Sequence, residues 1–229
     1  MKIILFSLLS FAFFSIGSLF VLGEEDKFAK LDITNGNLSI KKQSDQWLRI
    51  TVPFKLVSHP RIEALEGRRP LTLSQAFNPK FIDDIKVKLW ICFANKFKQN
   101  LLRSTSNLKD SDFYQYYDAE IEYLTLDFDR STKNAIFLFP TTIAERDGFL
   151  GANVKPVGYV VEISHADSNF KLSNAVYFNY RGATEEILES FKSQALSESP
   201  ENKGVLVPAH KIDASYLVGM GPVKTADER

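Results

Sequence analysis

Between Trp47 and Val57, Leu48, Ile50, Val52, Phe54 and Leu56 alternate with Arg49, Thr51, Pro53 and Lys55. Successive side chains of a strand face opposite sides, so this period of two predicts a strand with one buried and one wet face. Pro53 has no N–H to give a ladder, which points to an edge strand or a bulge. From Asp84 to Ala94 the same period places Ile85, Val87, Leu89, Ile91 and Phe93 on the inner face. The other face changes along the way, from Lys86 and Lys88 to Trp90 and Cys92. The far half of this strand is therefore expected to be covered on both sides.

Further strands are predicted over Ala119–Phe128, Asn134–Pro140, Val157–His165 and Asn174–Tyr180; the last two flank the polar stretch ADSNFKLS and read as a hairpin. Near the start, KFAKLDI and NLSIKK surround TNG, where Asn35–Gly36 is a tight-turn pair. Seven or eight short strands without repeated βα units predict an all-β, antiparallel, immunoglobulin-like β-sandwich. Its expected core includes Leu48, Ile50, Val52, Val87, Leu89, Ile91, Val161 and Ile163. Its expected edges are the segment from Phe28 to Lys41 and the strand interrupted by Pro53.

One amphipathic helix is predicted over 184–196, capped by Thr184, with Ile187, Leu188, Phe191 and Leu196 along one stripe. It is the candidate cover for Trp90 and Cys92. A short helical turn is expected at Leu73–Phe77, and ERDGF (Glu145–Phe149) reads as a loop. The sandwich with its helix spans 24–197. Residues 198–229 form an irregular C-terminal extension whose apolar part, from Val205 onward, docks while its last residues fray.

The first 23 residues alter the picture of location. Lys2 precedes an apolar run from Ile3 to Leu22, and Glu24, Glu25 and Asp26 follow Gly23. This is the pattern of a signal peptide cut between Gly23 and Glu24, leaving a periplasmic or extracellular chain with no inserted segment. Retention as an anchor is the rival, because about 20 apolar residues span a bilayer. Only Lys2 of the 28 Lys and Arg lies in the leader, which leaves 27 against 28 Asp and Glu. Near neutrality gives no electrostatic claim on nucleic acid or an anionic membrane. With Cys92 as the single cysteine, no internal disulfide forms and the core must hold by itself.

Candidate chemistry is sparse. His59, His165 and His210 have no metal-site spacing. His165-Ala166-Asp167 falls in a predicted turn, no serine stands in a G-x-S-x-G elbow, and Cys92 sits among Trp90, Ile91 and Phe93 as an inert core thiol. Asp127 and Asp129 are two apart and read as a solvated strand end. No catalytic, cofactor or metal residue is assigned, and no enzyme activity is expected. The tyrosines Tyr114, Tyr116 and Tyr117 are a candidate platform for stacking on sugar rings. The competing reading sends half of this aromatic set into the core as the strand begins. With Glu145, Arg146 and Asp147 they make up the candidate contact surface.

KVKLWICF (Lys86–Phe93), YYDAEIEYLTLD (Tyr116–Asp127), ERDGF and KPVGYVVEIS (Lys155–Ser164) resemble a family of exported, pilus-like proteins from Akkermansia and related Verrucomicrobia. The resemblance implies an immunoglobulin-like sandwich and a link to a type IV pilus system of the cell envelope. It implies no catalytic residues. The expected function is contact with envelope or pilus proteins as an accessory or assembly component, with a glycan-binding or adhesive module as the alternative.

Overall fold

A computed structural model of the chain describes residues 28–33, 38–72, 76–102, 107–151, 153–165, 171–180 and 183–212. The leader with its expected cut at Gly23–Glu24, the turn after His165, residues 73–75 of the expected helical turn and the tail from 213 lie outside these.

Among the described residues, nine strands form two antiparallel sheets. One contains β1 (Ala29–Leu31), β2 (Ser39–Lys42), β3 (Trp47–Leu56), β6 (Lys133–Pro140) and β9 (Val207–Pro208). In the other, β5 (Tyr114–Asp127), β4 (Phe81–Ala94), β7 (Gly158–His165) and β8 (Lys171–Phe178) lie side by side in that order. The chain crosses between the sheets after β3, β5, β6 and β8. This is the Greek-key path of an immunoglobulin-type sandwich, with β1, β3 and β6 facing β5, β4, β7 and β8. The expected core residues Leu48, Ile50, Val52, Val87, Leu89, Ile91, Val161 and Ile163 are all buried between the sheets.

β3 is not an edge. It pairs with β6 on one side and with β1 and β2 on the other. The lost donor of Pro53 is accommodated by a break in the neighbouring strand: β1 ends opposite Phe54, β2 begins opposite Thr51, and Asp32 N donates to Pro53 O at 2.9 Å. A residue's N and C=O share a side in an antiparallel ladder. The proline nitrogen thus faces the end of β1 at Asp32 and not β6, so the β3–β6 ladder loses no donor.

The helix α4 (Glu185–Glu198) starts one residue after Thr184, whose hydroxyl accepts from Ile187 N. It packs Leu188, Phe191 and Ala195 on Trp90, Cys92, Tyr116, Val160 and Val176, a second core outside the sheet. Leu196, expected on the buried stripe, is 46% exposed, because the stripe runs through Ala195. Gly158 permits this approach: a Cβ there would lie 2.6 Å from both the Phe191 ring and Tyr177 O.

Three short helices, α1 (Pro60–Ala64), α2 (Lys96–Leu102) and α3 (Thr141–Arg146), have no counterpart among the expected elements. The C-terminal extension is less irregular than its composition suggests. Single 3-10 turns cover Ser199–Asn202 and Ala209–Lys211, and β9 between them adds to β6. Leu206 and Val207 are buried. No helix among the described residues is long and apolar enough to cross a membrane.

Candidate functional site

The two ends of the sandwich carry its connections, where side chains are least committed to packing. At one end lie α2 and the corner formed by Glu145–Phe149. This corner is not a loop. Glu145 and Arg146 close α3, and Gly148, at φ +74°, turns the chain back, its N–H donating to Glu145 O. Asp147 then points inward and is almost completely buried. Its Oδ1 accepts from Asn95 Nδ2 at 3.0 Å and from Arg146 Nε at 2.9 Å; its Oδ2 accepts from Arg146 Nη2 at 2.8 Å. Asn95 in turn caps α2, its Oδ1 accepting from Lys98 N at 2.9 Å. A buried carboxylate must be fully hydrogen-bonded, and here that need ties α3 to α2.

The candidate contact surface is therefore redrawn. Glu145 and Arg146 remain exposed, but Asp147 is a structural clamp. Tyr116 and Tyr117 are buried as well. The Tyr116 ring lies 5.8 Å from Phe191 under α4, and Tyr117 meets Phe139 edge-on at 4.8 Å in the main core. Burial raises the pKa of both phenols. Alternation on β5 sends one ring to each side of the sheet, so the pair forms no coplanar platform; Tyr114 is half-buried. Missing from the sequence reading were the apolar residues of α2. The helix has no buried residue, and Phe97 and Leu101, four apart on one face, are 62% and 69% exposed. The spacing of KFKQNLL was the available signal.

At the other end, the long β3–β4 connection and the start of β4 form a small cleft lined by His59, Arg61, Phe77, Phe81, Asp83 and His165. Two histidines distant in sequence thus share one depression. His59 Nδ1 accepts from Arg61 N at 3.2 Å, capping α1, and Nε2 donates to Phe81 O at 2.9 Å. A backbone N–H only donates and a carbonyl only accepts, so the ring is the neutral Nε2–H tautomer with both nitrogens engaged. Burial holds its pKa below the ordinary histidine value. The ring packs against Phe77 at 4.8 Å, tilted by 32°, and meets Phe128 edge-on. His59 is a pin between the connection and β4, with no lone pair left for a metal or a proton transfer. Among the described residues, no group of three or more His, Cys, Asp or Glu is placed to hold a metal. Cys92 is buried, and that burial raises its pKa.

The sides of the sandwich differ from its ends. Along one side the C-terminal segment bridges the sheets: β9 pairs with β6 at Phe137 and Leu138, and Asn202 Nδ2 donates to Tyr116 O on β5 at 3.0 Å.

No protein-family model matches the chain, and no curated protein matches it. Among solved structures it is similar to a crystal structure from Akkermansia muciniphila, with a TM-score of 0.44 and 14% identity, over 72% of this chain and 74% of that one.

Proposed function

We propose that the chain is a non-enzymatic, exported cell-envelope protein that acts through protein contacts, as a pilus-associated accessory or assembly component. The observation that carries the contact reading is the apolar face of α2. Phe97 and Leu101 are held outward on a helix whose base is fixed by Asn95 and Asp147. Large apolar side chains displayed on a rigid base are the usual core of a protein contact. Export rests on the leader before Glu24, and the pilus assignment on the sequence resemblance of Lys86–Phe93, Tyr116–Asp127, Glu145–Phe149 and Lys155–Ser164.

The test uses the exported chain with a photo-crosslinking residue at 97 or 101, irradiated in envelope extract. A discrete partner captured by wild type and lost with Phe97→Ser and Leu101→Ser supports the reading. Turnover of a peptide, ester or glycoside substrate that disappears on Asp127→Asn or Glu145→Gln would replace it with a catalytic one. N-terminal sequencing of the exported protein checks the cut: Glu24 is expected, and an intact Met1 in the membrane fraction would mean an anchor.

A further inference from the structure

Among the described residues, β5 pairs only with β4. Two bonds fix which of its backbone groups face outward. Asn95 N donates to Phe113 O at 2.8 Å, continuing the β4–β5 ladder, in which each residue's partner falls as its own number rises. Odd-numbered residues of this half thus bond inward. Tyr116 O, an even position, is instead taken from outside by Asn202 Nδ2. By that alternation, the backbone N–H and C=O of Asp118, Glu120 and Glu122 face the outer edge. The phase holds until Leu124, opposite Asp84, whose φ of +55° breaks the regular pleat; beyond it Phe128 N bonds inward to Lys80 O.

The same three residues carry carboxylates on the outer face of the sheet. Asp118 and Glu120 already have Lys88 and Lys86 of β4 on one side, at 3.8 and 3.3 Å. Glu122 and Leu124 are exposed, Leu124 at 79%. At the upper end of this same side the chain adds a strand of its own, β9 on β6, and the Asn202 amide satisfies β5. Below Tyr116 no described strand continues that arrangement.

We propose that Asp118–Leu124 of β5 accepts an extended segment of a partner protein bearing Lys or Arg at alternate positions, added as a further strand. This rests on the contact reading above and specifies a second surface for it. Main-chain bonds would supply affinity, and cationic side chains beside Asp118, Glu120 and Glu122 the selectivity. A second copy of this chain does not fit. Antiparallel pairing centred on Glu120 sets Glu120 against its own copy and Asp118 against Glu122, and directly opposed like charges destabilise a sheet.

The probe is a labelled (Lys-Val)4 peptide, titrated onto the full chain and followed by anisotropy and amide exchange. Controls are (Glu-Val)4, with the wrong charge, and (Lys-Val)4 methylated at every backbone nitrogen, with the charge but no N–H to donate. Saturable binding of (Lys-Val)4 is expected, at least about tenfold tighter than either control, with slowed exchange at the Glu120 and Glu122 amides. Glu122→Pro removes an outward N–H without touching the β4 ladder and should weaken binding about tenfold. Glu122→Gln keeps the N–H and should weaken it about threefold. Should Glu122→Pro melt early, Glu120→Gln with Glu122→Gln and the exchange map take its place. Equal binding of the N-methylated peptide, protection elsewhere, unchanged affinity in the variants, or slow exchange at Glu120 and Glu122 in the free chain would overturn the proposal. Partner capture through Phe97 and Leu101 is read separately, so loss of the edge leaves the contact reading standing.

Discussion

The outer face of the β5-β4-β7-β8 sheet has two halves that share strands but not chemistry. In the covered half, Trp90, Cys92, Tyr116, Val160 and Val176 lie under α4. In the bare half, Lys86, Lys88, Asp118 and Glu120 pair across the surface, and Glu122 stands beside them in solvent. Both halves of β4 present apolar inner residues to the main core, Ile85 and Val87 in one and Leu89, Ile91 and Phe93 in the other. What differs is whether alternate positions are apolar, and that alone decides where a helix can be laid. Apolar burial rewards the helix in one half, while in the other it would strip water from charges that exposed pairing scarcely compensates. The bare half is then free to keep an open strand edge. It is also where His59 pins the β3–β4 connection to Phe81.

The sharpest way to break the comparison is to empty the covered half. Phe191→Ala removes the ring that sits against Tyr116 and stacks on Phe178 at 4.8 Å, and a loss of about 3–5 kcal/mol in urea unfolding is expected. Ile91→Ala, in the main core under the same stretch of β4, should cost about 2–5 kcal/mol. A loss below about 1 kcal/mol for Phe191→Ala, the range of surface changes, would mean α4 does not hold this half.

Gly158→Ala tests the same contact from the other side. The added methyl would stand 2.6 Å from Tyr177 O, which is backbone and cannot swing away, as well as from Phe191. Overpacking of this kind costs about 1–3 kcal/mol. If the backbone is the true obstacle, Phe191→Leu will not rescue it; full rescue in the double variant would assign the clash to the ring.

Much of this contrast was legible in the sequence. The change from Lys86 and Lys88 to Trp90 and Cys92 predicted a cover over half a strand, and Thr184 with Leu188 and Phe191 predicted what supplies it; both follow from local periodicity. The rest depends on partners distant in the chain. Pro53 was read as an edge because its missing donor is local, whereas the broken neighbour that accommodates it lies more than ten residues away in sequence. Asp147 looked like a loop acid because its acceptor role is completed by Asn95. Tyr116 and Tyr117 could be assigned to two different cores only once α4 and β6 had taken their places. The apolar face of α2 was visible as spacing, but spacing alone cannot say that nothing described buries it.

The bare half should respond to acid where the covered half does not. His59 has a folded pKa below its unfolded value of about 6.5, so the unfolded chain binds more protons. Stability contributed by the neutral ring is then present above that unfolded value and is lost as pH falls through the folded one. Protonated Nδ1 can no longer accept from Arg61 N, a loss on the order of 1 kcal/mol. Lowering pH from about 7.5 to 5 should reduce the amide protection factors, taken against the intrinsic exchange rate at each pH, at Arg61 and around Phe81 while leaving those of α4 unchanged. His59→Ala should flatten that part of the stability profile. Asp129, kept ionised by Lys133 and Ser131, loses its contribution only in more acidic solution and does not obscure this window. An unchanged slope in His59→Ala would show that the pin does not titrate.

The smallest effect expected is the most specific to the bare half. Lys86 and Glu120 face each other at 3.3 Å with both side chains about a third exposed. Such pairs gain little, since water and salt screen them and two long side chains lose freedom. A double-mutant cycle with Lys86→Ala and Glu120→Ala should return a coupling of about 0.2–1 kcal/mol, shrinking further in high salt. Folding therefore does not depend on these carboxylates, and their removal leaves the sheet intact while changing what its edge presents. A coupling above about 2 kcal/mol would put the pair among buried ones and make the bare half a second structural core; a coupling near zero that is matched by a changed affinity for cationic strands would assign the acidic row to recognition.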